Sequence, residues 1–396
     1  MKMQTLRSFR PKRDLCFSIG EFRERLAKVR KVMAGRNLDA LVVTVPENIF
    51  YVSGFQTPGY YSKQCLLIPL SGKPIHLTRG GEQTNARMRS WMDRSDSYMD
   101  HESPIELFAA TIKKDGLARS RIGIEKTSWF FTIADYERLQ ALLPAANLAD
   151  GSMVVESCRL VKSPAEIAYI RQAARCAEAG TRAALATIRP GVTEDHVAAA
   201  IQQAVTDMGS EYPSLPVFVA SGVRSSLYHA TWSGRKLETG DPVLLEIPGT
   251  IKRYSAALMR TPTVGKPEAR LAKMIDVSRR ALDRMIEAIR PGRPLGECWQ
   301  IWAATLTRAG FEGRYKRTGY SIGINFPPDW GEGHILSFKR GETRLLEPNM
   351  VFHIPSVVKI FGYADGDSSE TVRVTKSGCE LITNFPAGPF RCPVIV

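Results

Sequence analysis

The chain reads as a mixed α/β (α+β) protein of two domains, residues 1–158 and 159–396. Three observations predict this class. Apolar strand-like runs alternate with amphipathic helical stretches from residue 20 onward, the pattern changes around 144–163, and a helix–turn–helix–strand unit then occurs twice. With 396 residues, 44% hydrophobic and 24% charged, there is enough chain for a large core, and length alone suggests two domains.

Taken in order, residues 20–38 place Phe22, Leu26, Val29 and Met33 at helical spacing on a charged stretch, with Gly35 near its end. DALVVTV and QCLLIPL follow as buried strands, the second closed by a turn at Ser71, Gly72 and Lys73. IGIEK at 122–126 predicts a third strand and Ala134–Leu143 a helix, so strands of mixed direction form the first domain. A short strand is expected near Met153–Glu156. Ser163, Pro164 and Glu166 then spell a capping box that opens a long helix.

In the second domain, ALATIRPGVTEDHVAAAIQQAV at 183–205 echoes MIEAIRPGRPLGECWQIWAATL at 285–306. Each copy is followed by a similar strand entry, 237–247 and 345–354. One unit used twice implies a pseudo-twofold domain with a cleft where the halves meet.

Three clusters in this half carry candidate chemistry. LEIPGTIKRYSAALM, starting at Leu245 in the stretch from Leu244 to Met259, reads as two strands joined by a basic turn. Glu246 sits between Leu245 and Ile247, and a carboxylate in apolar surroundings is costly unless paired or functional. The plain alternative is a salt bridge to Lys252 or Arg253. His229 follows a Gly/Ser loop and precedes Trp232; on its own such a residue is more often a satisfied structural imidazole. RTGYSIGINFPPDWGE, 317–332, carries Arg317, Tyr320, Asp329 and Trp330 and reads as a loop lining a concave wall.

Composition excludes several classes. The seven Cys are dispersed without a CxxC pair, which argues against a disulfide framework or a zinc site. No run of eighteen apolar residues predicts a membrane span. The basic N-terminal stretch lacks an apolar segment and reads as a short arm, with the cytoplasm as the expected compartment. The net charge of +14 is spread without a clustered stripe, so nucleic acid is not the expected partner.

The RxxKSxxEI start at 159–167, the doubled Ile-Arg-Pro-Gly at 188–191 and 289–292, and the strand pair around 244–261 resemble the creatinase/methionine aminopeptidase family. The resemblance covers about residues 20–385. It implies a creatinase-like α/β N-terminal domain and a C-terminal pita-bread domain with an internal pseudo-twofold repeat. Most members hold two metals with Asp, Asp, His, Glu and Glu. By position these fall on Glu246, Ala257, Tyr320, Pro355 and either Ser369 or, with a one-residue slip, Glu370. Ala and Pro cannot ligate through their side chains, so the resemblance is to the metal-free branch, with no metal and no cofactor.

HATW at 229–232, EIPGTIKRY at 246–254, RTGYSIG at 317–323, PPDWGE at 327–332 and YYSKQC at 60–65 are similar to the ectoine hydrolases of that branch. This implies hydrolysis of a C–N bond in a small amidine, guanidine or cyclic amide, with ectoine or hydroxyectoine as the leading substrate. The alternatives are a creatinase-like hydrolase, a metal-dependent Xaa-Pro peptidase-like enzyme and a non-catalytic binding protein. His229 is the implied general base, and Glu246 the carboxylate that pairs with the substrate or attacks it. Arg317 is the implied carboxylate clamp. Trp232, Tyr320 and Trp330 form walls, Tyr254, His353 and Glu370 are further substrate contacts, and Tyr61 reaches in from the partner of a homodimer. Two departures stand out: the segment 354–369, which forms one wall, and the small pair Ala256 and Ala257.

Overall fold

The computed structural model describes residues 13–311 and 317–394, so residues 1–12 of the expected basic arm lie outside it. The chain divides into two compact units, Met1–Arg159 and Leu160–Val396.

In the first unit the helix Ile19–Gly35 buries Phe22, Leu26, Val29 and Met33, as their spacing predicts, and Ser18 caps it by accepting from the Glu21 N–H. A six-stranded sheet runs in the order Ser95–Tyr98, Ile75–Arg79, Cys65–Pro69, Ala40–Val43, Arg121–Ile124, Asn147–Asp150. The Cys65–Pro69 strand is antiparallel to both neighbours, and the remaining pairs are parallel. One expectation fails here. Met153–Glu156 is not a strand; a helix runs over Val154–Arg159, and the strand is Asn147–Asp150, paired to Arg121–Ile124. Met153, at φ 65°, turns the chain out of the sheet, and Val154 and Val155 are then fully buried on the helix. Packing overrides their β-branched preference.

The second unit is built on one antiparallel sheet. Its order is Cys379–Leu381, Ser368–Val374, Val351–Ser356, Arg317–Phe326, Tyr254–Arg260, Val243–Ile251, Phe218–Ser221, and two short strands, Asp329–Gly331 and Ser337–Lys339, pair with Arg317–Phe326. The helix Pro164–Thr187 opens with the predicted capping box: Ser163 Oγ accepts from the Glu166 N–H, and Glu166 accepts from the Ser163 N–H. Helices Pro164–Thr187 and Glu194–Asp207 cover the first half of the sheet, where Leu245, Ile247 and Leu258 join their core. Helices Ala269–Ala288 and Leu295–Arg308 cover the second half. The first contact is close: a Cβ on Gly249 would lie 2.0 Å from the Ala173 carbonyl oxygen.

The repeat is real at the level of single hydrogen bonds. Gly191 N–H donates to Leu237 O and Gly292 N–H to Leu346 O, both at 2.8 Å, with φ of 81° and 79°. The return bonds, Leu237 N–H to Val192 O and Leu346 N–H to Arg293 O, also match.

Residues 317–332 are not the loop expected of a Gly- and Pro-rich stretch; a ten-residue strand and a short return strand occupy most of them. The glycines serve close packing instead, since a Cβ on Gly323 would crowd Glu332 and Lys162 at 3.0 Å.

Candidate active site

Strand alternation decides which side chains meet in the cleft. The hairpin turns at Lys252 and Arg253, both at positive φ, and pairs Glu246 with Met259 and Pro248 with Ala257. Glu246, Ala257 and Met259 therefore share the face away from the helices, while Leu245, Ile247 and Leu258 face them. Across the next pairing Phe218 lies opposite Glu246 on that same face.

Glu246 is half-buried, and its carboxylate makes no hydrogen bond or ion pair with any described residue. The salt bridge to Arg253 does not form; that guanidinium binds Asn325 and the Tyr212 carbonyl. Burial, reinforced by Asp367 and Asp329 and opposed by Lys359, pushes the Glu246 carboxyl up to about 8.

The walls around it are aromatic. The Phe218 ring lies 5.9 Å from His229 and 5.8 Å from Trp330. Trp330 Nε1–H donates to Tyr320 Oη at 2.9 Å, and Tyr320 Oη lies 2.9 Å from His353 Nδ1. Arg317 places its guanidinium carbon 5.0 Å over the Tyr320 ring. Gly333 leaves room for it: a Cβ there would lie 1.9 Å from Arg317 Nη1. His229 is exposed at φ 58° and its imidazole bonds to no described residue, so it is not a satisfied structural histidine. Glu194 fixes both ends of its loop, accepting from Ser221 N–H and Oγ at 2.7 Å and from Ser233 N–H at 3.0 Å, and pairing with Arg224.

The departing segment forms the short hairpin Lys359–Ile360 and Ala364–Asp365 and grips that same loop. Lys359 Nζ donates to Ser225 O at 2.8 Å, Asp365 N–H to Ser225 Oγ and Gly362 N–H to Ser226 Oγ at 3.1 Å. Lys359 also pairs with Asp365 at 3.4 Å and Asp367 at 3.9 Å and lies 5.2 Å from the centre of the Tyr228 ring. The sequence carried no recognised signal for Lys359, Asp365, Asp367 or Phe218, although Phe218 follows from strand parity once the register is known.

Four expected substrate contacts lie elsewhere, and a fifth, Tyr61, is expected from a partner subunit. Tyr254 faces the helices, its hydroxyl donating to Glu166 Oε1 at 2.8 Å and its ring stacked on Tyr169. Glu370 is turned away from the cleft and saturated by Arg260 and Arg279 at 2.8 Å and Thr383 at 2.5 Å. Trp232 packs on the core of the first helix pair. His353 is fully buried behind Tyr320. Tyr61 is 79% exposed in the N-terminal unit. Glu332, from the PPDWGE stretch, forms a buried ion pair with Lys162 at 2.7 Å and accepts from Ser321.

The model of metallopeptidase family M24 matches residues 168–376, and that of the creatinase/prolidase N-terminal domain matches residues 25–161. An ectoine hydrolase of Halomonas elongata is 30% identical over 94% of this chain and 98% of that protein. An uncharacterized hydrolase/peptidase of Sinorhizobium fredii is 31% identical over 93% and 96%. Among solved structures, dipeptidase PepE from Mycobacterium ulcerans superposes with a TM-score of 0.82 at 24% identity, covering 96% of this chain and 100% of that one. An Xaa-Pro dipeptidase from Bacillus anthracis gives 0.81 at 24%, covering 93% and 99%. These structures share the pita-bread fold.

A metallopeptidase fold implies metal ions, and the donor set here does not fit a dinuclear centre. Ala257 and Pro355 offer no ligating side chain. The Tyr320 and Ser369 hydroxyls are engaged with His353. The pairing of Pro355 with Ser369 places Ser369, not Glu370, toward the cleft. Glu246 is the one carboxylate left at those five positions, and no three His, Cys, Asp or Glu converge on a common point among the described residues.

Proposed function

The chain belongs to metallopeptidase family M24, and from that premise we propose that it is a metal-independent hydrolase of a C–N bond in a small cationic amidine, guanidine or cyclic amide. The observation that carries this reading is the unpartnered Glu246 carboxylate within aromatic walls, a setting that suits an organic cation. The similarity to an ectoine hydrolase makes ectoine and hydroxyectoine the first substrates to try.

In this reading Glu246 pairs with the amidinium and polarises its carbon, or attacks that carbon itself. His229 takes a proton from water as the C–O bond forms and returns it to the leaving nitrogen as the C–N bond breaks. Arg317 holds a substrate carboxylate in a two-pronged contact, and Tyr320 and Trp330 flank the cation. The reading includes a homodimer in which Tyr61 of the partner subunit closes the cleft.

The test is turnover of ectoine, hydroxyectoine and creatine with and without a chelator, in wild type and His229→Ala. Chelation should leave the rate unchanged. His229→Ala should lower kcat by roughly 10²–10⁴-fold without changing the melting temperature. A chelator-sensitive rate, or normal turnover by the variant, would falsify the proposal.

A further inference from the structure

Behind Tyr320 lies a chain of buried hydrogen bonds that the hydrolytic steps above do not use. Met259 N–H donates to Ser369 Oγ at 2.7 Å, Ser369 Oγ lies 2.7 Å from His353 Nε2, His353 Nδ1 lies 2.9 Å from Tyr320 Oη, and Trp330 Nε1–H donates to that oxygen. Ser369 and His353 are both 0% exposed. Burial lowers His353 to about 3, so the ring is neutral and carries one N–H.

Two arrangements of that proton are conceivable, and they differ in what they leave unpaired. With the proton on Nε2, Ser369 Oγ accepts from both His353 and Met259, and its own hydroxyl proton finds no acceptor among the described residues. That is costly in a buried site. With the proton on Nδ1, Ser369 donates to Nε2, His353 donates to Tyr320 Oη, and every donor behind Tyr320 is satisfied. Tyr320 Oη then accepts from both His353 and Trp330, so its own O–H can only point outward. Burial and Glu246 raise the Tyr320 hydroxyl well above its ordinary value, which keeps that proton in place.

We infer that Met259, Ser369 and His353 hold Tyr320 as an obligate hydrogen-bond donor into the cleft, so that the molecule bound at Glu246 carries an acceptor oxygen or nitrogen beside its cationic group. His353 and Ser369 are positioning residues acting through Tyr320. A bare guanidinium or amidinium, which only donates, opposes the Tyr320 proton. A cation next to a carbonyl or carboxylate satisfies both Glu246 and Tyr320. The inference rests on the proposed cation site only for what lies at Glu246.

The decisive measurement is the nitrogen NMR of ¹⁵N-histidine-labelled protein, with the His353 signals among the six histidines assigned by their loss in His353→Gln. Wild type should show the Nδ1–H tautomer. Ser369→Ala, which removes the hydroxyl donating to Nε2, should move the Nε2 signal to that of an acceptor without a hydrogen bond, and Ser369→Thr, which keeps the hydroxyl, should restore the wild-type signal. An Nε2–H ring in wild type overturns the inference. A second readout uses two probes, acetamidinium, which only donates, and N-acetylethylenediamine, an ammonium with a carbonyl acceptor. Tyr320→Phe should weaken the second by about tenfold and tighten the first, whose N–H groups no longer oppose a hydroxyl proton; equal weakening of both refutes the donor role. If neither probe binds wild type, the proposed cation site fails, while the tautomer still decides the inference.

Discussion

A permanently charged amidine should bind this protein with release of a proton, because the Glu246 carboxyl is lifted from its ordinary 4.5 to about 8. At pH 7 a group with that value is about one-tenth ionised, and at pH 6 about one-hundredth. An amidinium pairs only with the ionised form. Acetamidinium should therefore bind about tenfold more weakly at pH 7, and about a hundredfold more weakly at pH 6, than on the plateau above pH 8. Calorimetry in buffers of different ionisation heat should find close to one proton released per ligand at pH 7, falling to about a half at pH 8. Glu246→Gln should abolish the release. The same shift also bears on stability. The native carboxyl holds its proton more tightly than the unfolded chain does. Its cost is therefore absent below about pH 4.5, grows as pH rises, and levels off above 8 at no more than about 4–5 kcal/mol. Partial solvent contact reduces that figure. Glu246→Gln should thus raise the melting temperature more at pH 8 than at pH 5. Equal acetamidinium affinity at pH 6 and pH 8, with no proton release, would refute the account.

Lys162 and Glu332 form an ion pair with both side chains 1% exposed, so Lys162→Met should cost about 3–5 kcal/mol in denaturant unfolding, and a hydrophobic replacement of both should recover much of it. A free single variant would show that the pair contributes little. Gly249→Ala drives a methyl into the Ala173 carbonyl at 2.0 Å; a loss of about 1–3 kcal/mol or more is expected, and an unchanged melting curve would mean the helix shifts without penalty. Lys359→Met removes a cation that lowers the Glu246 carboxyl. The pH midpoint of acetamidinium binding should then move upward, and a downward move contradicts the assignment.

Much of this was legible in the chain itself. The Ser163 capping box, the doubled Ile-Arg-Pro-Gly turns and the hairpin around Lys252 and Arg253 are local signals, fixed by residues a few positions apart. Glu246, His229, Tyr320 and Trp330 were each conspicuous by type. What failed was sidedness. Tyr254 pairs with Ile251 across a two-residue turn, a register that puts it on the helix face, and Glu370 was reached only by a one-residue slip, which carries a strand residue to the opposite face. His353 has the right face and lies one layer too deep, a matter of what stands in front of it. The Lys359, Asp365 and Asp367 group was not legible at all. Its members are ordinary surface residue types until the hairpin folds against Ser225.

That hairpin ties two properties of the catalyst together. In the proposed mechanism it walls the substrate, and through Ser225 and Ser226 it also sets where the base-bearing loop rests. A change that reshapes the wall for a new substrate therefore moves the base as well. If the proposed mechanism holds, substrate range and turnover are mechanically geared, and directed evolution toward a different amidine should need paired changes in 222–229 and 357–367, with single changes in either segment trading rate for scope.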